Sequence, residues 1–280
     1  MPTILHISDL HFGPPYMAEV GDALATTATT LAPDLIVASG DFTQRAKRQQ
    51  FADARVFLDR LPDVPIICTP GNHDVPLYRI WERLSRPHEL YCKHIEHHLD
   101  HALHFEGVSV VSLDSTAPSR SISNGRIKLG QLEFCERAFS ESPPGNLRIL
   151  TAHHHFAPAP DYERDQVMPK ARRALDRLVG MRVDLILGGH LHRAYIGNSL
   201  DVYRGADPEH GIIIVQSGTS TSRRGRGRER EKNTMNLLYL DRNMIDITHF
   251  LYFDEPHRFE PVSRHRFPRP GHPFVEIGDR

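Results

Sequence analysis

Five short motifs gather the side chains of this sequence that could do chemistry: Asp9-Leu10-His11, Gly40-Asp41, Gly71-Asn72-His73-Asp74, His153-His154-His155 and Gly189-His190-Leu191-His192. Carboxylate, imidazole and amide oxygen together make a donor set for Zn, Mn or Fe. Mg and Ca fit less well, because they prefer shells made wholly of oxygen. The candidate metal ligands are Asp9, His11, Asp41, Asn72, His153, His190 and His192. One ion rarely takes so many, whereas two ions sharing a carboxylate do. Ions about 3.5–4 Å apart clamp the attacking and leaving oxygens of a displacement at phosphorus. Charge points the same way. Against two divalent ions, Asp9, Asp41 and a bridging hydroxide leave about one positive charge, which suits a monoanionic phosphodiester. Asn72, being neutral, preserves that balance. Within Asp9-x-His11 and His190-x-His192 the paired residues sit two apart, which on an extended backbone turns both side chains to one face.

These motifs need strand ends to deliver them, and the sequence supplies the strands. Short apolar runs at Ile4–Ile7, Leu35–Ala38, Ile66–Cys68, Val108–Leu113, Ile149–Thr151 and Leu185–Leu187 read as strands covered on both faces. Helical patterns lie between them at Ala18–Leu31, Phe51–Leu61 and Lys170–Val179, the last closed by Gly180. The alternation argues for an α/β architecture, in which ligand sites gather at the carboxyl ends of strands. After residue 192 the runs Ile212–Val215, Leu237–Leu240 and Ile245–Phe253 predict a second, mostly antiparallel sheet. The proline-bearing segment from about 255 to 280 reads as an extended tail on the surface of a single domain spanning 1–280.

Composition excludes several classes. With 280 residues, 39% of them hydrophobic, the chain is long enough for a large core, and its net charge of −1 gives no global field for nucleic acid or membrane. Mean hydropathy is −0.42, and no apolar run approaches the ~20 residues of a membrane span. The first residues lack the basic and apolar regions of a signal peptide. Three separated cysteines without a CxxC pair imply neither disulfide framework nor zinc knuckle. A reducing cytoplasm is the expected location.

Taken in order, D-x-H, G-D, G-N-H-D, H and G-H-x-H, the motifs resemble the calcineurin-like metallophosphoesterase family over residues 3 to about 192. A single element such as Gly40-Asp41 carries no information alone; the joint series does. The resemblance implies a four-layer α/β/β/α sandwich of two mixed β-sheets flanked by helices. It implies one ion held by Asp9, His11, Asp41 and His192, and a second held by Asp41, Asn72, His153 and His190. The cofactors would then be two divalent or mixed-valence transition ions (Mn, Fe or Zn). It further implies in-line attack by a bridging hydroxide, with His73 as the catalytic histidine at the leaving group. Asp74 is a candidate for orienting His73. His154 stays open as an alternative to His153.

The protein serine/threonine phosphatase branch carries GDxxDRG and GNHE, from which Gly40-Asp41-Phe42-Thr43-Gln44-Arg45 and Gly71-Asn72-His73-Asp74 depart. Leu5–Phe12 and Ser39–Gln44 look more like bacterial class III cyclic nucleotide phosphodiesterases and glycerophosphodiesterases. A small or cyclic nucleotide-type diester is therefore the expected substrate. Repair nucleases and the pyrophosphohydrolases of lipid A synthesis share motifs and stand as alternatives; a non-enzymatic scaffold should lack ligands that are all present here. No membrane partner and no oligomeric state is implied.

Other features have plainer readings. His94, His97, His98 and His101 share one helical face, read as solvated rather than metal-binding. Arg223, Arg224, Arg226, Arg228 and Arg230 form a solvated loop or a steering lid for anions. Cys68 is expected to be a buried strand residue, and Trp81 to pack its helix onto the body.

Overall fold

The computed structural model describes residues 1–120, 124–159, 167–203, 205, 207, 209–225 and 232–272. In chain order its elements are β1 (Thr3–Ile7), α1 (Ala18–Leu31), β2 (Leu35–Ala38), α2 (Arg48–Leu58), β3 (Ile66–Cys68), a 3-10 turn at Asn72–Asp74, α3 (Ile80–Ser85), α4 (Glu89–His94), β4 (His101–Phe105) and β5 (Val108–Ser112). Then follow α5 (Leu129–Ser140), β6 (Leu147–Thr151), α6 (Ala171–Gly180), β7 (Leu185–Gly188), β8 (Tyr195–Asn198), α7 (Ser199–Val202), β9 (Ile213–Gln216), β10 (Thr234–Leu240), β11 (Met244–Phe253) and β12 (Arg258–Pro268).

Two six-stranded sheets face each other, ordered β12-β11-β10-β1-β2-β3 and β4-β5-β6-β7-β9-β8. Both are mixed. In the first, β1, β2 and β3 run parallel and β10 to β12 continue antiparallel. In the second, β5, β6, β7 and β9 are parallel, with β4 and β8 as antiparallel edges. Alternate strand residues serve two cores. Ile4, Leu35, Val37, Ile149, Leu185, Val215 and Leu238 interlock between the sheets. Leu5, Ile7 and Ile36 point outward onto Val20, Leu24, Phe51 and Phe57 of α1 and α2. On the far side, Leu150, Ile186 and Ile214 meet Leu132, Phe139, Leu175 and Leu178 of α5 and α6. The result is the four-layer α/β/β/α sandwich, with the central strands mostly apolar because both their faces are covered.

Several expectations need correction. The strands after residue 192 do not make their own sheet: β9 inserts beside β7 in one sheet, while β10 to β12 extend the other from β1. Their apolar faces thus complete both walls of the inter-sheet core. The segment read as a tail from about 255 contributes β12, which pairs with β11 from Met244↔Pro268 to Phe253↔Arg258 around a bulge at His249/Phe250; residues 273–280 lie outside the described residues. The histidine face does not exist, because α4 ends at His94 and His101 opens β4. Asp100 draws that stretch away from helix, accepting hydrogen bonds from the Asp114 amide and Gln131 Nε2, both at 2.8 Å. Cys68 is buried as expected, and burial pushes its thiol up to about 12. No helix among the described residues is long and apolar enough to cross a membrane.

Leu185 is fully buried between the sheets. Leu185→Ala should destabilise the chain by about 2–5 kcal/mol through lost burial and the cavity left behind, read as a lower midpoint in urea unfolding.

Candidate metal centre

Asp9, His11, Asp41 and His192 converge so that one ligand atom from each lies within 4.8 Å of all the others, and all are buried. His11 Nε2 and His192 Nε2 meet at 2.9 Å. Asp9 Oδ1 lies 3.1 Å from His192 Nε2 and 3.5 Å from His11 Nε2, and Asp41 Oδ2 lies 3.7 Å from His11 Nε2. Asp41 Oδ2 also faces outward from this group, 3.4 Å from His153 Nε2. There a second group assembles: Asn72 Oδ1 is 3.3 Å from His153 Nε2 and 2.9 Å from His190 Nδ1. Asp41 is the member common to both.

The backbone achieves this by an unexpected route. The i, i+2 pairs do not sit on extended chain. Asp9, His11, Asp41, His190 and His192 all have positive φ, at 55°, 52°, 53°, 73° and 52°. Asp and His are among the few side chains that enter this left-handed region with any frequency, and its cost is borne where the surroundings hold it. Each strand ends, and the chain doubles back to aim its side chains inward. Gly40 makes room at φ +98°, where a Cβ would stand 2.6 Å from His153 Nδ1; on Gly71 a Cβ would strike Asp41 Oδ1.

Asp9, Asp41, His153 and His192 each have one polar atom committed elsewhere, which leaves the other for the centre. Asp9 Oδ2 accepts from Ser8 Oγ at 2.6 Å and the His190 amide at 3.0 Å. Asp41 Oδ1 accepts from the His73 amide at 2.7 Å. His153 Nδ1 donates to the Ser39 carbonyl and His192 Nδ1 to the Arg224 carbonyl, both at 2.8 Å. A carbonyl oxygen only accepts, so each Nδ1 carries a hydrogen, and Nε2 is the atom that can give a lone pair to a metal in place of a proton. What remains is a set of buried acceptors without partners, including Asp9 Oδ1 and Asp41 Oδ2. Buried acceptors gathered in this way need a cation or protons between them. The donor set of carboxylate oxygens, imidazole nitrogens and one amide oxygen suits a borderline transition ion, so these residues fit metal.

Burial shapes the charges. It holds the His11 imidazole down at about 4 and keeps His190 well below its ordinary value, with His154 and His153 adding to the effect on His190. For Asp9 and Asp41 burial acts upward, but the imidazoles overcome it, chiefly His192 for Asp9 and His153 for Asp41; both carboxyls lie well below their usual range. Burial also depresses His153, yet Asp41 beside it prevails, and the group stands at about 9.

His73 lies at the rim, its ring edge-on to His11 with centroids 4.9 Å apart. Its Nδ1 donates to the Gln44 carbonyl at 2.9 Å, leaving Nε2 for a ligand. Burial lowers its pKa, Asp41 acting against that. Asp74 does not make the expected orienting contact. Its carboxylate is taken by the amides of Phe42 (3.2 Å), Thr43 (2.9 Å) and Gly71 (3.0 Å), with Thr43 Oγ1 at 3.0 Å. It ties the Asp41 loop to the Asn72 loop, while Gln44 orients His73. Burial and the charge of Asp41 push Asp74 up to about 7.

His154 turns away to Ser115 Oγ, 2.8 Å from its Nδ1, and packs 4.6 Å from the His190 ring; His155 stacks on His190 at 5.7 Å. Both are buried and wall the second group. Of the arginine-rich loop, Arg226, Arg228 and Arg230 lie outside the described residues. Arg223 is fixed by its amide to the Pro15 carbonyl at 3.0 Å, and Arg224 reaches Gln44 Oε1 at 2.9 Å. Sequence reading missed Ser8, Ser115 and the carbonyls of Ser39, Gln44 and Arg224. Ser8 had its place beside Asp9 as a signal; the carbonyls had none.

The sequence matches the family model described as calcineurin-like phosphoesterase over residues 2–194. It is 28% identical over 207 residues to a probable cyclic nucleotide phosphodiesterase of Rhodococcus erythropolis, covering 68% of this chain and 64% of that protein. It is 25% identical over 189 residues to a probable glycerophosphodiester phosphodiesterase of Arcobacter nitrofigilis, covering 65% and 66%. The matched stretch thus spans just under two thirds of either relative. Among solved structures, the purple acid phosphatase of yellow lupin superposes with a TM-score of 0.71 at 12% identity, over 99% of this chain and 57% of that one. A dimetal phosphatase from Danio rerio gives 0.65 at 12% identity, over 96% and 100%. At such identity these two show the fold alone.

Removing the Asp74 carboxylate leaves three loop amides without their acceptor. Asp74→Ala should lower stability by about 2 kcal/mol or more, measured by denaturant unfolding of metal-free protein.

Proposed function

The chain belongs to the calcineurin-like phosphoesterase family, and from that membership we propose a metal-dependent phosphodiesterase with a dinuclear centre, acting on small or cyclic nucleotide-type diesters. The observation that carries this reading is Asp41, whose Oδ2 stands unpartnered between two ligand groups. In the proposed assignment Asp9, His11, Asp41 and His192 hold one ion; Asp41, Asn72, His153 and His190 hold the other. His153 takes precedence over His154, because His154 Nδ1 is engaged by Ser115.

Bound divalent ions would supply Lewis acidity at the phosphoryl oxygens and an activated water for in-line attack. The protein's own residues do the rest. Ser8, with the carbonyls of Ser39 and Arg224, holds ligand side chains in one orientation before any ion arrives, which reduces reorganisation on binding. The Gln44 carbonyl fixes the His73 tautomer and points Nε2 at the substrate side, where a proton at that atom would pass to the departing alkoxide. The phosphodiesterase names of the Rhodococcus and Arcobacter relatives favour a diester over a monoester. Arg224, joined to Gln44 beside His73, adds positive charge where an anionic substrate would enter.

Metal analysis and an assay on an activated diester with Mn, Fe or Zn test the whole assignment. Asp41→Asn should retain little metal at either position and lose activity, whereas Asn72→Ala should retain about half the metal. Asp41→Asn protein with full metal content and normal turnover would sink the bridging role.

His73→Ala should cut turnover of an alkyl or cyclic diester by roughly 10²–10⁴-fold, the usual contribution of general acid catalysis. An aryl ester, which leaves as a stable phenolate, should lose much less, and metal content should not change. Equal losses on both esters would point to positioning instead of proton donation.

A further inference from the structure

The segment after the Asn72–Asp74 turn reads as amphipathic: Leu77, Ile80, Trp81 and Leu84 recur at i, i+3, i+4 and i+7, a stripe that normally faces a core. The structure inverts it. Ile80 is 63% exposed, Trp81 87% and Leu84 60%, with Tyr78 at 74%, and α3 has no buried residue. Trp81 therefore does not pack its helix onto the body.

Arginines hold α3 instead. Arg79 Nη2 donates to the Ala46 carbonyl at 2.7 Å. Arg83 Nε and Nη2 donate to the carbonyls of Pro118 and Arg120 at 2.6 and 2.7 Å. Both anchors lie on loops that also touch histidines of the candidate centre. Ala46 follows the Gln44 carbonyl that orients His73, and Arg45 lies over the Tyr78 ring at 5.4 Å. Pro118 follows Ser115, which touches His154 against His190. Helix α3 is thus braced across the loops on either side of His73 and His190, with aromatic and aliphatic side chains turned to solvent. Exposed apolar side chains that cluster along one short segment, rather than lying scattered, mark a surface that can meet a ligand.

We propose that Trp81 of α3 and Tyr78, just before it, form a stacking platform for the planar organic group of the substrate, the part of a nucleotide-type diester that the metal centre does not touch. The proposal rests on the phosphodiesterase reading above and gives its substrate a second point of recognition. An indole and a phenol ring suit this role, because stacking on a heteroaromatic base tolerates any base identity. Recognition is thereby divided: charge and metal take the phosphoryl group, and α3 takes the ring.

Trp81 is the chain's single tryptophan, so its fluorescence reports on this surface directly and without turnover. Thymidine monophosphate should quench it saturably, inorganic phosphate should not, and Tyr78→Ala should weaken the effect. In kinetics two esters share one leaving group: the p-nitrophenyl ester of thymidine monophosphate and methyl p-nitrophenyl phosphate. Trp81→Ala should lower kcat/KM on the thymidine ester about 10-fold, mainly through KM, and leave the methyl ester within about 2-fold; Trp81→Phe should recover much of the loss. Unquenched Trp81 at nucleotide concentrations that inhibit the enzyme would overturn the proposal, as would equal losses on both esters. So would unchanged kinetics joined to a Trp81→Ala change in oligomeric mass or in sedimentation with anionic vesicles, which would make α3 a self-association or lipid surface. Saturable quenching without turnover of either ester by metal-loaded protein would instead sink the phosphodiesterase reading and leave the platform standing.

Discussion

The structure turns on one electrostatic problem: carboxylate oxygens and imidazole nitrogens are brought within contact of one another in the interior, where water cannot pair them. Asp9 Oδ1, Asp41 Oδ2 and the imidazole nitrogens of His11, His153 and His192 would repel or seek water if left to themselves. Asp9, Asp41, His153 and His192 stay because each is held at its other end. The holding atoms are mostly main-chain groups at the ends of strands, the amides of His73 and His190 and the carbonyls of Ser39 and Arg224. Those strands are in turn fixed by cores on both faces. The order of causes runs from apolar strand sequence, to rigid sheet ends, to strained left-handed residues, to a cluster that keeps its vacant lone pairs facing inward.

Much of this was legible in the residues. Runs such as Leu35–Ala38 and Leu185–Leu187 announce strands because burial on both faces admits only apolar side chains, and the motifs that follow them are brought together as expected. The strand-end geometry was not legible. An i, i+2 pair has two routes to a common face, and spacing alone does not distinguish extended chain from the doubled-back form with positive φ. Nor does sequence reveal partners that are carbonyl oxygens, since every residue has one. Asp74 illustrates the limit well: next to a catalytic histidine it invites an orienting role, but a buried carboxylate surrounded by free amides binds those amides. Helix α5 went unread although Leu132, Cys135 and Phe139 line its buried side.

The same competition explains α3. A hydrophobic stripe predicts an inward face only if nothing else needs the inside more. Here two loops carry carbonyls that want donors, and Arg79 and Arg83 supply them. Hydrogen-bond demand at the loops decides which face of a six-residue helix turns in, and the apolar side chains are left outside as a consequence.

Among the described residues strand β12 closes one sheet with its outer side unpaired, and an unpaired strand is a template onto which another chain can add. The sequence there resists that. Pro261 and Pro268 offer no amide hydrogen, charged side chains line the strand, with Arg258 paired to Glu260 and Arg264 and Arg266 to Asp246, and the bulge at His249/Phe250 bends the ladder it leans on. A fold whose large sheets end in the open is thereby given a border that discourages aggregation, and the residues that secure it lie far along the chain from every one that does chemistry.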